Sequence, residues 1–248
     1  TEEDAAKAEQ ELMRSGGEPS EEEQKLIDEA AAIPAETWFA LSRWAKETKN
    51  FQPWLRSLLF SVGGVVGRGQ KPSIKQATHA MKAYNEAIAK GVAEKAVEAF
   101  GSIDVLINNA QASASGVTIQ DHTTEQFDLA MYSGLYATFL YMKACYPHLK
   151  KTRGSIINFA SGAGLFGNFG QCAYAAAKEG IRGLTRVAAT EWGKDGINVN
   201  VVCPLAWTAQ LEGFEKAYPE AFKANVHMPP MGHYGDSELE IGRVCVQL

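Results

Sequence analysis

The chain has 248 residues, 46% hydrophobic and 21% charged, with a net charge of −5. That length holds one large domain or two smaller ones, and so much apolar side chain excludes a chain too polar to build a core. The longest uncharged apolar stretch, residues 57–67, is too short to cross a bilayer, which takes about 20 apolar residues.

From the start, residues 1–14 form a charged helical pattern that Gly16-Gly17 stops. In Ser20-x-x-Glu23 each side chain can satisfy the other's backbone N–H at a helix start, so a second helix is expected over 21–32. Pro34 opens a third, carrying Trp38, Phe39, Leu41 and Trp44. Leu55, Leu58, Leu59 and Val62 mark a fourth, ended by Gly63-Gly64. Pro72-Ser73 with Gln76 starts a fifth that reaches about Lys90, with Gly91 as its terminus. Region 1–90 therefore reads as all-helical, a domain apart from 91–248. Its first third is acidic, while 37–90 is rich in Lys and Arg with Trp38, Trp44 and Trp54 interleaved. Two readings stay open: a surface for nucleic acid or another polyanion, or, preferred, a small bundle with an aromatic core and a solvated basic face.

From Val92 the pattern changes. Residues 92–100 read as a short helix stopped by Gly101. Ile103 to Asn108 is an apolar strand suited to a parallel sheet covered on both faces. Thr123-Thr124 begins a long helix that turns Phe127, Met131, Leu135, Phe139, Met142 and Cys145 inward and ends at Pro147. A second strand, 155–160, leads to Ser161. A glycine-rich loop, 162–170, precedes a helix that reaches Trp192, and 197–203 is a third strand. Strands alternating with helices argue a doubly wound α/β sheet. After Pro204 come a loop, a helical pattern over 211–224, and a last helix that Ser237-x-x-Glu240 caps, with Ile241, Val244, Cys245 and Leu248 on one face. The four cysteines, Cys145, Cys172, Cys203 and Cys245, are far apart and lack metal spacing. They read as buried reduced thiols, in keeping with a cytoplasmic protein. No metal is expected, and the acidic start lacks the apolar segment of a secretory leader.

One stretch carries chemistry. Tyr174 and Lys178 are four apart, hence on one helix face. Ser161 falls at the carboxyl end of a strand, where open α/β sheets bind ligands. A phenol titrates near pH ~10; an ammonium one turn away favours the phenolate, which can then trade a proton with a substrate hydroxyl or carbonyl. The missing partner is a hydride acceptor, which a nicotinamide provides.

These residues resemble the Ser/Tyr-x-x-x-Lys triad of the short-chain dehydrogenase/reductase family: Ser161, then Tyr174 thirteen positions on, then Lys178. Asn108-Asn109-Ala110 resembles the family's Asn-Asn-Ala-Gly motif, and the run from Gly196 to Pro204 its next strand and turn. The resemblance covers about 92–248 and implies a Rossmann-like parallel sheet, partial here and preceded by the helical region. It implies NAD or NADP as cofactor, an alcohol or ketone of small size as substrate, and a homo-oligomer. Tyr174 would be the general acid/base. Lys178 would lower its pKa and bind the nicotinamide ribose, and Ser161 would orient the substrate oxygen. Asn108 and Ala110 would lie near the adenosine part, Pro204 and Thr208 near the nicotinamide and pyrophosphate.

The chain departs from that pattern in four places. Gln111 stands where the family has glycine, Gly134 where it has a relay asparagine, and Leu205 where a glycine follows Pro204. The first strands and the phosphate turn have no counterpart. Gly63-x-x-x-Gly67-x-Gly69 has the spacing of that turn, yet only 44 residues separate Gly63 from Asn108, too few for the strands and crossover helices that should follow. Two alternatives to the oxidoreductase reading therefore stand: a binding protein working through its basic helices, with no catalysis, or a truncated or partner-completed subunit.

Overall fold

The computed structural model describes residues 19–217 and 219–248, so the helix expected over 1–14 lies outside the described residues. By internal contacts the chain divides into two units, Thr1–Val92 and Ala93–Leu248.

The first unit is helical. Helix α1 (Glu21–Ala32) starts as its sequence dictates: the Ser20 hydroxyl accepts from Glu23 N at 3.2 Å and the Glu23 carboxylate accepts from Ser20 N at 2.9 Å. α2 (Ala35–Thr48) follows Pro34, and α3 (Pro53–Gly67) and α4 (Ile74–Phe100) complete the described part. Their core forms around Trp38, fully buried with Leu59 and Val62, its indole Nε1 donating to Ala30 O at 3.2 Å and its ring centroid 5.7 Å from that of Tyr84. Trp44 packs on Phe51, and the Lys90 ammonium lies within 6 Å of both rings while donating to Asn50 Oδ1 at 2.8 Å. Of the three interleaved tryptophans, then, two are core or near-core material. Trp54, half-exposed, stands edge-on to His79.

Two glycine stops move. Gly63-Gly64 does not end its helix; α3 continues to Gly67, and the turn comes at Gly69, φ +71°. Gly63 is buried against Phe39, where a Cβ would sit 2.8 Å from the ring. The missing side chain lets two elements approach instead of releasing one. Gly91 does not stop α4 either. One internal glycine costs about 1 kcal/mol against alanine, and Ala87, Ala89, Ala93 and Ala96 surround it. The stop is Gly101, φ +85°.

In the second unit, β1 (Val105–Asn108), β2 (Ser155–Phe159) and β3 (Asn198–Val202) form a parallel sheet in the order β1-β2-β3. Val105 stands opposite Ser155, and Asn158 opposite Asn108 on one side and Val201 on the other. The first crossover is α5 (Thr124–Ala130), a π-helical turn (Met131–Tyr136) and α6 (Ala137–Thr152); the second contains α7 (Gly162–Phe166) and α8 (Cys172–Trp192). This is the partial doubly wound, Rossmann-like α/β sheet. Ile156, Ile157, Met142, Leu149 and Ile181 are buried in it.

Pro147 does not end α6. It forfeits one helical hydrogen bond, a loss of about 3 kcal/mol in an interior position. The added turn, however, buries Leu149 completely and pairs Lys150 with Asp195 at 2.8 Å, and Asp195 also accepts from Tyr146 OH at 2.7 Å. The expected inward stripe holds at Met142 and Cys145, but Phe127 and Phe139 are exposed, because the wider π turn puts the helix faces before and after it out of phase. The helical pattern after Pro204 resolves into α9 (Ala209–Ala217) and α10 (Pro219–Asn225). The last helical segment, a π-type turn over Ser237–Gly242 and α11 (Arg243–Gln247), is capped by Asp236 rather than Ser237. The Asp236 carboxylate accepts from Glu238 N and Leu239 N at 2.9 and 2.6 Å. Its expected apolar face is broken, with Val244 half-exposed. Of the cysteines only Cys145 is buried; Cys203 is exposed, since β3 ends one residue before it.

Trp38→Ala empties the centre of the helical unit and leaves Ala30 O without its indole donor. We expect a loss of about 3–5 kcal/mol, read in urea denaturation as a lower midpoint of the helical signal.

Candidate active site

β2 ends at Phe159, and Ala160 N donates to Val202 O at 2.9 Å, which carries the pairing one residue beyond the strand. Ser161 follows in extended conformation and caps α7, its Oγ accepting from Ala163 N at 3.1 Å. Gly167 closes α7 at φ +68°. The loop then presses against an earlier one: Gly116 N donates to Gly170 O at 2.8 Å, and a Cβ on Gly170 would lie 2.9 Å from Gly116 Cα. Only glycine fits there. α8 begins two residues after Gly170 and packs against α7.

Tyr174 lies in the first turn of α8 and is half-buried. Lys178, one turn on, is only 4% exposed. Its Nζ donates to Phe159 O at 2.7 Å and lies 5.5 Å from the centroid of the Tyr174 ring. The ammonium thus ties the start of α8 to the end of β2. Burial pushes its pKa down to about 8, against a smaller opposing pull from Cys203 beyond β3.

A buried polar chain joins the same elements from below. Asn108, at the end of β1, donates from Nδ2 to Asn158 Oδ1 at 2.8 Å; Asn158 donates to Thr185 Oγ1 at 2.9 Å; the Thr185 hydroxyl donates to Ile181 O at 2.7 Å. Asn158 is 0% exposed and Thr185 3%. Sequence reasoning passed over both. The available signal was an amide inside the apolar run Ile156-Ile157-Asn158-Phe159, since a buried amide is expected to be hydrogen-bonded.

The other predicted positions are more dispersed. Ala110 is exposed just beyond β1, and Pro204 is half-buried just beyond β3. Thr208 is exposed, its Oγ1 accepting from Leu211 N at 3.2 Å at the start of α9. Two of the departures prove to be matched. A Cβ on Gly134 would lie 2.6 Å from Gln111 Cδ, so the Gln111 carboxamide occupies room that glycine leaves. Gln111 Nε2 donates to Ala130 O at 3.4 Å, while its Oε1 is buried with no partner among the described residues. No described helix is long and apolar enough to cross a membrane.

Residues 70–248 match the family described as enoyl-(acyl carrier protein) reductase. A 12alpha-hydroxysteroid dehydrogenase of a Clostridium species is 70% identical over 159 residues, 64% of this chain and 61% of that protein. The trans-4-hydroxycyclohexanecarboxylate dehydrogenase of Sinomonas cyclohexanicum is 44% identical over 109 residues, 44% of this chain and 42% of its own length. Among solved structures, ElxO with NADP bound superposes with a TM-score of 0.60 at 28% identity, over 66% of each chain. The chain spans about three fifths of the length of the hydroxysteroid dehydrogenase it matches.

The buried ammonium makes a pH signature. Unfolded, Lys178 keeps its proton to about 10.5; folded, it releases it near 8. Between those values the unfolded chain binds more protons, so this group makes native stability rise with pH from about 8 to about 10.5. Lys178→Met removes that contribution. The melting-temperature difference between wild type and variant should move in favour of wild type as pH is raised through that window; a constant difference would contradict the burial.

Proposed function

Because the chain belongs to the short-chain dehydrogenase/reductase family, we propose that it interconverts a secondary alcohol and a ketone with NAD or NADP, using Ser161, Tyr174 and Lys178. The observation that carries this reading is the Lys178 ammonium, desolvated, anchored on Phe159 O and held 5.5 Å from the Tyr174 ring. Lysine and tyrosine stand one helical turn apart, in the order of the family's triad. Tyr174 then takes the proton from an alcohol, or returns one to a ketone. Ser161, at the head of α7, hydrogen-bonds the same substrate oxygen. Lys178 has three N–H donors and Phe159 O takes one, which leaves donors for a ribose hydroxyl.

A nicotinamide, when bound, supplies the hydride donor or acceptor. The residues present fit it in part. Lys178, Tyr174, Pro204 and Thr208 would flank its nicotinamide half, and Asn108 and Ala110 the adenosine side. Among the described residues the charged middle has no match: the glycine spacing Gly63 to Gly69 begins inside α3, with Gly63 pressed on Phe39, instead of turning from a strand into a helix. Diphosphate recognition of that kind needs backbone N–H groups at a helix start reached through such a turn.

For substrate we assign a hydroxyl on a ring. Both named relatives act on ring alcohols by their names, and exposed Leu165, Phe166 and Phe169 after Ser161, with Leu205 and Trp207 after Pro204, offer apolar surface in the segments that follow β2 and β3. Four free thiols suit a cytoplasmic setting. A homo-oligomer would have an apolar face to cover, with Tyr132 and Tyr136 stacked at 5.0 Å beside exposed Phe139.

Two outcomes test this reading. In NADH- or NADPH-dependent reduction of cyclic ketones, Tyr174→Phe should cost about 10²–10⁴-fold with unchanged circular dichroism; wild-type rates in the variant would place the proton donor elsewhere. In NADPH fluorescence titrations the purified chain should bind weakly, since the diphosphate lacks its cradle. Tight binding would mean that the helical region builds a phosphate site of another kind.

A further inference from the structure

We propose that the helical unit binds single-stranded nucleic acid along the seam where residues 49–54 lie against residues 79–90 of α4, with Trp54 as the surface on which a base stacks. Residues 37–90 hold nine Lys and Arg against two Glu. The fold uses part of that charge. Lys71 pairs with Asp28 at 2.7 Å and Lys90 with Glu86 at 3.5 Å. Lys49 and Lys82 are exposed and have no ion-pair partner among the described residues.

Two contacts mark the ends of the seam. Trp54, in the first turn of α3, stands at 86° to His79 with ring centroids 5.3 Å apart. At the other end Lys90 donates to Asn50 Oδ1 at 2.8 Å. From His79 to Lys90 the helix rises about 16 Å. Lys82 lies one turn beyond His79 on the same face, and Lys49 stands next to Asn50 as the C-cap of α2, at φ +56°. The cations therefore flank an aromatic surface. Trp38 is 0% exposed and hydrogen-bonded in the core, whereas Trp54 is 48% exposed. Its perpendicular contact with His79 uses at most one face of the indole and leaves the other for a base. A single strand offers both groups this surface can take up, phosphates for the two ammonium groups and a base face for the indole. A duplex keeps its base faces inside the stack, and an acidic peptide has none. The proposal needs neither cofactor nor turnover, so its outcome is independent of the oxidoreductase reading.

The full chain is titrated into fluorescein-labelled oligothymidine at low salt and followed by fluorescence anisotropy. Saturable binding that weakens steeply as salt is raised is expected. Trp54→Ala should lower affinity about tenfold, and Trp54→Phe, which keeps a stacking ring, should recover most of it. Lys82→Glu should lower affinity and flatten the salt dependence. Phe100→Ala, which removes an exposed aromatic at the far end of α4, should leave binding unchanged. Circular dichroism confirms that each variant keeps its helices. Absence of binding at low salt overturns the proposal, as does equal binding by wild type and Trp54→Ala. So does equal affinity for a duplex or for polyglutamate, which would make the surface a general anion binder that reads no base.

Discussion

A lysine ammonium nearly out of water, donating to the last carbonyl of a strand, is the contact around which the site is arranged. Isolated, such a cation is costly to bury. Here Phe159 O and the face of the Tyr174 ring receive it, and the remaining cost appears as a pKa drawn down to about 8. The cost has a purpose in geometry. A long, rotamer-rich side chain is held in one place, and with it the start of α8 is tied to the end of β2. The glycine contact between 116 and 170 fixes the approach to that helix from the other side. A side chain at Gly170 would press on the Gly116 backbone in the loop that leads into α8.

The Asn108–Asn158–Thr185 chain extends the same logic into the core. A buried amide without partners would cost several kcal/mol; with each donor and acceptor matched it couples β1, β2 and α8 into one register. The two polar systems share α8, one at Lys178 and the other at Thr185, two helical turns apart. Gln111 and Gly134 show the complementary device in apolar space, where one side chain fills what the other lacks. Departures from a family pattern that look like losses when taken singly are compatible when they occur together.

The α/β unit is thus closely tied together where α8 meets the end of β2, and β1 lies at an edge of its sheet among the described residues. Strand order puts β2 in the middle, where Lys178 of α8 reaches its last carbonyl, and leaves β1 and β3 as the edges among the described residues. The helical unit has a core of its own, with Trp38 and Phe51 buried in it and Trp44 and Tyr84 packed against it.

The sequence by itself determined the local features whose partners lie within a few residues. The Ser20–Glu23 box, the Thr123 cap and the Tyr174–Lys178 spacing all read correctly because an i, i+3 or i, i+4 relation is settled by helix geometry alone. Alternating apolar strands and helices likewise determined the parallel α/β arrangement. Tertiary structure decided whatever depended on neighbours distant in the chain. Gly63 reads as a stop until Phe39 is seen against it, Pro147 reads as an end until Leu149 is seen buried beyond it, and Cys203 reads as a core thiol until β3 is seen to end before it. At Gly63 and Pro147 a local preference of a few kcal/mol or less was overridden by close approach or by burial, and at Cys203 by where the strand stops; the sequence nearby carries no record of these.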